Sequence, residues 1–224
     1  MIAIIGIPVA RSVHLGGGVE GTTARAANAA ARAGATVQLV GKTGDDPAGD
    51  ALLLALAAAG VGHVAVLRDA AHSTPIAQPT GAASEAEETA LIDELLDDAA
   101  PAFEIVPVDA ADRPSLEAAD VELALRYLPD FRAIVVAEPL ADGVVAVAAE
   151  AAAYGGAELV VVVAAGQTAP AAANALVLEA PRDDDEGAFA TMLGELAAAL
   201  DTGATAADAF REARDRVGVG RPAS

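Results

Sequence analysis

The sequence predicts an α/β protein built on a mostly parallel sheet, and three observations lead there. Short apolar runs alternate with helix-patterned segments along most of the chain. Several of these runs are continuous rather than alternating, as strands buried on both faces are. The links between them are short, which favours right-handed strand–helix–strand units.

Ile2–Ile5 is the first apolar run and closes in Gly6. Ala24–Ala33 is alanine-rich and reads as a helix, with Thr22 or Thr23 able to cap its start and Gly34 placed to end it. Thr36–Val40 is the second strand. Asp46 and Pro47 then open a helix, an acidic cap followed by proline in the first turn, which runs through Leu52, Leu53 and Leu56 to Gly60. His63–Leu67 is the third strand. Residues 69–112 are less regular, with four prolines, an acidic helix-like run at 84–98 and a short strand at Glu104–Val108. Together with residues 11–22 they are predicted to form a lid or flap on a single domain spanning 1–224. Order then returns: helix Pro114–Leu128, strand Ala133–Ala137, helix Val144–Tyr154, strand Glu158–Ala164 and strand Leu176–Glu179. Helices at Gly187–Leu200 and Ala206–Val217 follow.

Composition removes several function classes. Cysteine is absent, which excludes disulfides, thiolate zinc sites and cysteine nucleophiles. His14, His63 and His72 fall on separate segments without ligand spacing, so no metal site is expected from them. Ser73 and Ser84 lack the glycine context of a nucleophile elbow. Formal net charge is -20, and Lys42 is the only lysine among 13 basic residues. Such an excess repels phosphate backbones and anionic bilayers, so neither nucleic acid nor membrane is an expected partner. Acidic, alanine-rich and lysine-poor composition fits a saline or a GC-rich source equally well. Leu159–Ala165 is far shorter than the roughly 20 residues of a membrane span. Met1–Gly6 carries no basic leader. A cytoplasmic protein is expected.

The run from Gly21 to Leu67 carries an asparagine, Asn28, in its alanine-rich helix. A strand follows, then Gly41, Gly44, Asp46 and Gly49 in the pattern G-x-x-G-x-D-x-x-G, and a helix closing in Gly60–Val61. This arrangement resembles the N-terminal half of the ribokinase (PfkB) family of sugar and nucleoside kinases. Ile134–Val163, with Glu138–Pro139 after a strand, is similar to the family's middle portion. Gly187–Ala213 resembles its closing helical pair. The resemblance implies a ribokinase-like, three-layer α/β/α sandwich with a small β lid, and ATP-dependent phosphorylation of a hydroxymethyl group. It also implies substrate-binding roles for Asn28, Gly41 and Glu138.

Phosphoryl transfer needs a base near the attacking hydroxyl and donors or cations that stabilise charge on the moving group. The family supplies both with a D-T-x-G-A-G-D segment at a helix N-terminus. Aligned on Ala188–Phe189, that segment becomes Asp183-Asp184-Asp185-Glu186-Gly187 here. Glycine stands at the base position, and acids replace the glycines whose amides would face a phosphate. These acids read either as a solvated helix start or as oxygen ligands for Mg2+. Arg11 occupies the position of a sugar-holding Asp, and Thr23–Ala24 that of a Gly-Gly pair. Asn28 could bond a polyol or satisfy its own helix. Glu138, at a parallel strand's carboxyl end, lies where α/β ligands bind.

Two decoys resolve differently. Asp201–Phe210 looks like the missing segment, but Thr205 and Asp208 are spaced as a capping box. Gly41-Lys42-Thr43 resembles the end of a P-loop, yet Thr36 stands where its first glycine belongs. Lys42 remains a candidate for an anionic cofactor. Only Ala165–Arg182 separates the Glu158–Ala164 strand from the closing helices, where the family places its nucleotide pocket.

The sequence therefore points to a shortened family homologue that binds a small sugar-like molecule or a partner subunit without normal phosphoryl transfer. The alternative is an active kinase using ATP, with Asp185 or Glu186 as base and Mg2+ offsetting the acids. A third reading is a structural partner whose lid edge pairs into a homodimer.

Overall fold

The computed structural model describes residues 1–12, 17–79, 103–106, 112–128, 130–167, 174–182, 184 and 187–217. Among the described residues, ten strands and six helices lie in this order: β1 Ile2–Ile5, β2 Val9–Arg11, β3 Val19–Glu20, α1 Gly21–Arg32, β4 Val37–Gly44, α2 Pro47–Ala58, β5 Gly62–Asp69, β6 Ile76–Pro79, β7 Phe103–Ile105, α3 Ala118–Tyr127, β8 Ala133–Val136, α4 Asp142–Gly155, β9 Glu158–Val163, β10 Leu176–Glu179, α5 Ala188–Asp201 and α6 Ala206–Val217.

Six strands make one sheet in the order β10-β9-β8-β1-β4-β5, and every neighbouring pair is parallel. Side chains of a strand alternate between faces, so each strand feeds two cores. Ile2, Ile4, Val37, Leu39, Val160 and Val162 pack beneath α1, α2, α5 and α6. Ala3, Ile5, Val40, Ile134, Val136 and Val161 pack beneath α3 and α4. This is the three-layer α/β/α sandwich. From β1 the chain winds outward through β4 to β5, then returns to β8 on the other side of β1 and winds through β9 to β10. The direction reverses between β1 and β8, which makes the crevice at their carboxyl ends the place where such folds bind ligands.

A second sheet, in the order β3-β2-β6-β7, stands apart from the first. Its β2–β3 and β6–β7 pairs are antiparallel, and β2–β6 is parallel. Its strands come mostly from the two segments read as a lid or flap. The acidic run at 84–98 lies outside the described residues, as do Val108 and His14.

Two local readings are corrected. Neither Thr22 nor Thr23 caps α1, because the helix already begins at Gly21 with Glu20 at the N-cap. Glu20's carboxylate serves two arginines, and Thr23 is used elsewhere, as described below. Helix α3 begins at Ala118 rather than near Pro114, because Asp120's carboxylate accepts the Glu117 N–H at 3.0 Å and fixes the first turn there. The expected cap at the start of α6 is present in part: Thr205 Oγ1 accepts the Asp208 N–H at 3.2 Å, while Asp208 Oδ2 accepts the Thr205 hydroxyl at 2.8 Å, in place of the Thr205 N–H that a full capping box would use.

Candidate functional site

The crest at the switch point is built around Glu138, which follows β8 and faces the turn after β1. Its Oε1 accepts the Ile7 N–H and, at 3.2 Å, the Thr23 hydroxyl of α1. Burial pushes the pKa of this carboxyl up from its ordinary value, against those two bonds and the charge of Arg113, which act to lower it. Glycine at position 6 is required by this arrangement, since a Cβ there would come 2.7 Å from Glu138 Oε1 and even closer to Thr23 Oγ1. One carboxylate thus ties together β1, α1 and β8.

Next to it, the Gly41–Gly49 turn forms a closed polar network. Asp46 caps α2 by accepting the Gly49 N–H at 2.7 Å. The same carboxylate accepts the Thr74 N–H at 2.8 Å and the Thr74 hydroxyl at 2.7 Å. Thr74 Oγ1 also lies 2.8 Å from Thr43 Oγ1 and accepts the Gly44 N–H at 3.0 Å. Burial pushes the Asp46 carboxyl up, but the bonds from Thr74 and Gly49 and the nearby Arg68 outweigh it and hold it below the usual value. Gly41 abuts the end of β1, where a Cβ would come 2.6 Å from the Gly6 carbonyl oxygen. Lys42 Nζ pairs with Asp120 Oδ2 at 2.6 Å, joining β4 to α3.

On the other side of α1 the charge is inverted. Glu20, 2% exposed, sits between Arg11 and Arg25. Arg11 holds Oε1 with Nε at 3.0 Å and Nη2 at 2.7 Å, and its guanidinium stacks 4.7 Å over the Phe103 ring. Arg25 pairs with Oε2. Arg25 also lies against Gly187, where an added Cβ would come 2.5 Å from Arg25 Nη1. Gly187 begins α5 in the left-handed conformation (φ 68°, ψ 23°).

Of the four acids before Gly187, only Asp184 is described; Asp183, Asp185 and Glu186 lie outside the described residues. Asp184 turns back on its own helix. Its carboxylate accepts the Phe189 N–H at 2.8 Å and the Ala190 N–H at 3.1 Å, while its carbonyl accepts the Gly187 N–H at 2.8 Å. The helix start that would offer amides to a phosphate is therefore occupied by a carboxylate of the chain itself. Among the described residues no group of three or more acids or histidines is arranged to hold a metal ion.

The sequence-predicted residues thus fall into separate places. Gly41 and Glu138 are at the crest, and Lys42 is in a structural ion pair. Asn28 is on α1, roughly 7 Å further along the axis than Thr23. Sequence reasoning missed Glu20, Arg25 and Thr74. Its reading of the acids before Gly187 as a helix start fits Asp184, which bonds two of the first amides of α5. No helix among the described residues is long and apolar enough to cross a membrane.

The comparisons agree with this architecture. The family model for pfkB family carbohydrate kinases matches residues 9–176. Among solved structures, an apo structure from E. coli assigned as a ribokinase II is similar at TM-score 0.64 and 14% identity, over 95% of this chain and 89% of that one. Arabidopsis thaliana ribokinase, complexed with ribose and ATP, is similar at TM-score 0.60 and 14% identity, over 96% and 90%. A 2-dehydro-3-deoxygluconokinase from Thermotoga maritima reaches TM-score 0.51 and 17% identity, over 72% and 50%. No curated protein matches the sequence.

Proposed function

Since the chain belongs to the pfkB family of carbohydrate kinases, we propose that it is a ligand-binding member that does not carry out normal phosphoryl transfer. The observation that carries this reading is the Asp184 carboxylate on the Phe189 and Ala190 amides. An incoming phosphoryl oxygen would have to displace a bonded, like-charged group to reach the donors it needs. Gly187 adds to this, because it offers no carboxylate to take a proton from an attacking hydroxyl. Arg25 fills the space beside it.

The same reading accounts for the sugar-facing positions. Arg11 is committed to Glu20 by two bonds and to Phe103 by stacking, so it cannot imitate a carboxylate that accepts from sugar hydroxyls. Carbohydrate kinase ancestry supports a small polar molecule as the ligand.

Titration of Mg-ATP into the full chain, with a radiolabelled phosphate-transfer panel of pentoses, hexoses and nucleosides, tests the proposal. The expected result is no transfer above the buffer rate. Transfer to any of these substrates that disappears in Asp185→Asn or Glu186→Gln would overturn it and make the chain an active kinase with a displaced base.

A further inference from the structure

We propose that the groove between the carboxyl ends of α3 and α4 binds a small organic cation with an apolar body, an aryl- or alkylammonium, at a site that does not depend on the reading above. Helix α3 ends just before β8 begins and α4 just before β9 begins, so both helix ends lie at the amino edge of the parallel sheet. The crest with Glu138 is at the opposite edge. Between the two helix ends opens a groove of about 740 Å3, inside the roughly 300–1,000 Å3 of small-molecule sites. On α3, Glu122, Leu125 and Arg126 stand at i, i+3 and i+4 and share one face. On α4, Val147, Glu150, Ala151 and Tyr154 stand at i, i+3, i+4 and i+7 and do the same. Phe131 completes the apolar lining. Its ring lies against the last residue of α4, where a Cβ on Gly155 would come 3.3 Å from Phe131 Cε2.

Charge selects the ligand class. The carboxylates of Glu122, Asp130 and Glu150 line the groove against a single guanidinium, that of Arg126, which is paired with Glu122. Arg132, next along the chain, gives its Nη1 to the Asp201 carbonyl at 3.3 Å and so is drawn to α5 in the opposite layer. The groove lining therefore carries two negative charges in excess. Helix dipoles add to them, since each helix carboxyl end carries roughly half a negative charge. Helix α4 has no basic residue in its last turn to offset its own.

A second observation points to a cation clothed in carbon rather than a bare metal ion. Leu125, Val147, Ala151 and Phe131 offer such a body an apolar surface and offer a metal no side-chain oxygen. Two of the chain's aromatic rings, Phe131 and Tyr154, line this one groove, and ring faces attract organic cations. Tyr154 is 96% exposed, an amphipathic ring left in water beside an apolar groove. A second copy of the chain suits the groove less well, because it would set like carboxylates together between two molecules of net charge -20.

Calorimetric titration of the full chain with 2-phenylethylammonium, 2-phenylethanol and phenylacetate, similar in size and different in charge, tests the site. The cation should bind roughly tenfold or more tightly than the alcohol or the anion. Its affinity should fall about threefold or more between about 50 mM and about 500 mM KCl. Glu150→Gln and Tyr154→Ala, both at exposed positions, should each weaken cation binding roughly threefold or more with the melting temperature unchanged. Ala151→Phe should fill the groove and abolish binding. Should Ala151→Phe fail to fold, the two exposed variants still decide. No binding of the cation at millimolar concentration, an alcohol or anion that binds as tightly, or cation binding untouched by Glu150→Gln and Tyr154→Ala would overturn the proposal. A dimer of the native chain in sedimentation that Tyr154→Ala dissociates would overturn it in favour of a second copy on this face. Phosphate transfer, found or not, decides the reading above and leaves this site as the titrations find it.

Discussion

The turn at Gly41–Gly49 and the start of α5 bracket the same helical layer, yet they use their carboxylates in opposite ways. In the turn, Asp46 joins residues distant in the chain, bonding both Gly49 and Thr74. At α5, the Asp184 carboxylate bonds amides five and six residues ahead, at the start of its own helix. The first arrangement holds elements together; the second satisfies a helix end that chemistry would otherwise need open. Residues of the family pattern that the fold requires are present in the turn; on the reading proposed above, positions that only phosphoryl transfer requires have other occupants at α5. On that reading the fold is kept while the reaction is given up, because the two depend on different residues.

The comparison breaks most readily at Gly49. An added Cβ would come 2.6 Å from the Gly44 carbonyl oxygen and 2.9 Å from Thr43 Oγ1. Gly49→Val should therefore lose about 3 kcal/mol or more of stability in chemical denaturation. A variant as stable as the native chain would mean that the turn is not the cement described above.

Asp46→Ala comes next, with a loss of about 2–3 kcal/mol at neutral pH for a cap and two bonds to Thr74. The pH dependence checks the cause. Asp46 is held below its ordinary value in the folded chain, so its stabilisation is fully present above the unfolded value of about 3.9 and fades as pH falls through the folded one. The gap between native chain and variant should therefore narrow in acid. A gap constant with pH would show that lost packing, not the ionised carboxylate, is responsible.

The parts of the molecule legible in its sequence are those decided by near neighbours. Continuous runs such as Ile2–Ile5 and Leu159–Val163 announce buried parallel strands, because only a strand covered on both faces tolerates them. Asp46–Pro47 announces its helix, since cap and first turn are adjacent. Contacts across the fold were not legible. Thr23 has the position of a cap, but its hydroxyl serves Glu138, 115 residues away. Arg11, Glu20 and Arg25 look like scattered surface charges until the β2–β3 pairing and the start of α1 bring them together. Thr74 lies in an irregular segment, and nothing local marks it as the partner of Asp46.

Asp184→Ala sharpens the α5 side of the comparison. It removes both acceptors from the Phe189 and Ala190 amides and should cost about 1 kcal/mol in stability, as the loss of an N-terminal cap does. It should also expose those amides to solutes. Sulfate or phosphate should then raise the melting temperature of the variant more than that of the native chain. Equal shifts in both would mean that Asp184 is not what keeps anions from the helix start.

Glu138→Gln should have the smallest effect, and its sign is opposite to that of Asp46. Burial raises this carboxyl in the folded chain, so folding favours its neutral form. The contribution is present below the unfolded value of about 4.3 and is lost as pH rises through the folded one. Glutamine keeps an oxygen that can accept the Ile7 N–H and the Thr23 hydroxyl while removing the charge. Native chain and variant should therefore melt together near pH 4, and at about pH 8 the variant should melt higher, by less than the change in Asp184→Ala. A native chain that is the more stable at the higher pH would show that a cation compensates the ionised Glu138. Arg113, whose charge already acts on this carboxyl, is the first residue to remove in that case. The crest would then be a place that holds a carboxylate for use, not merely one that ties three elements together.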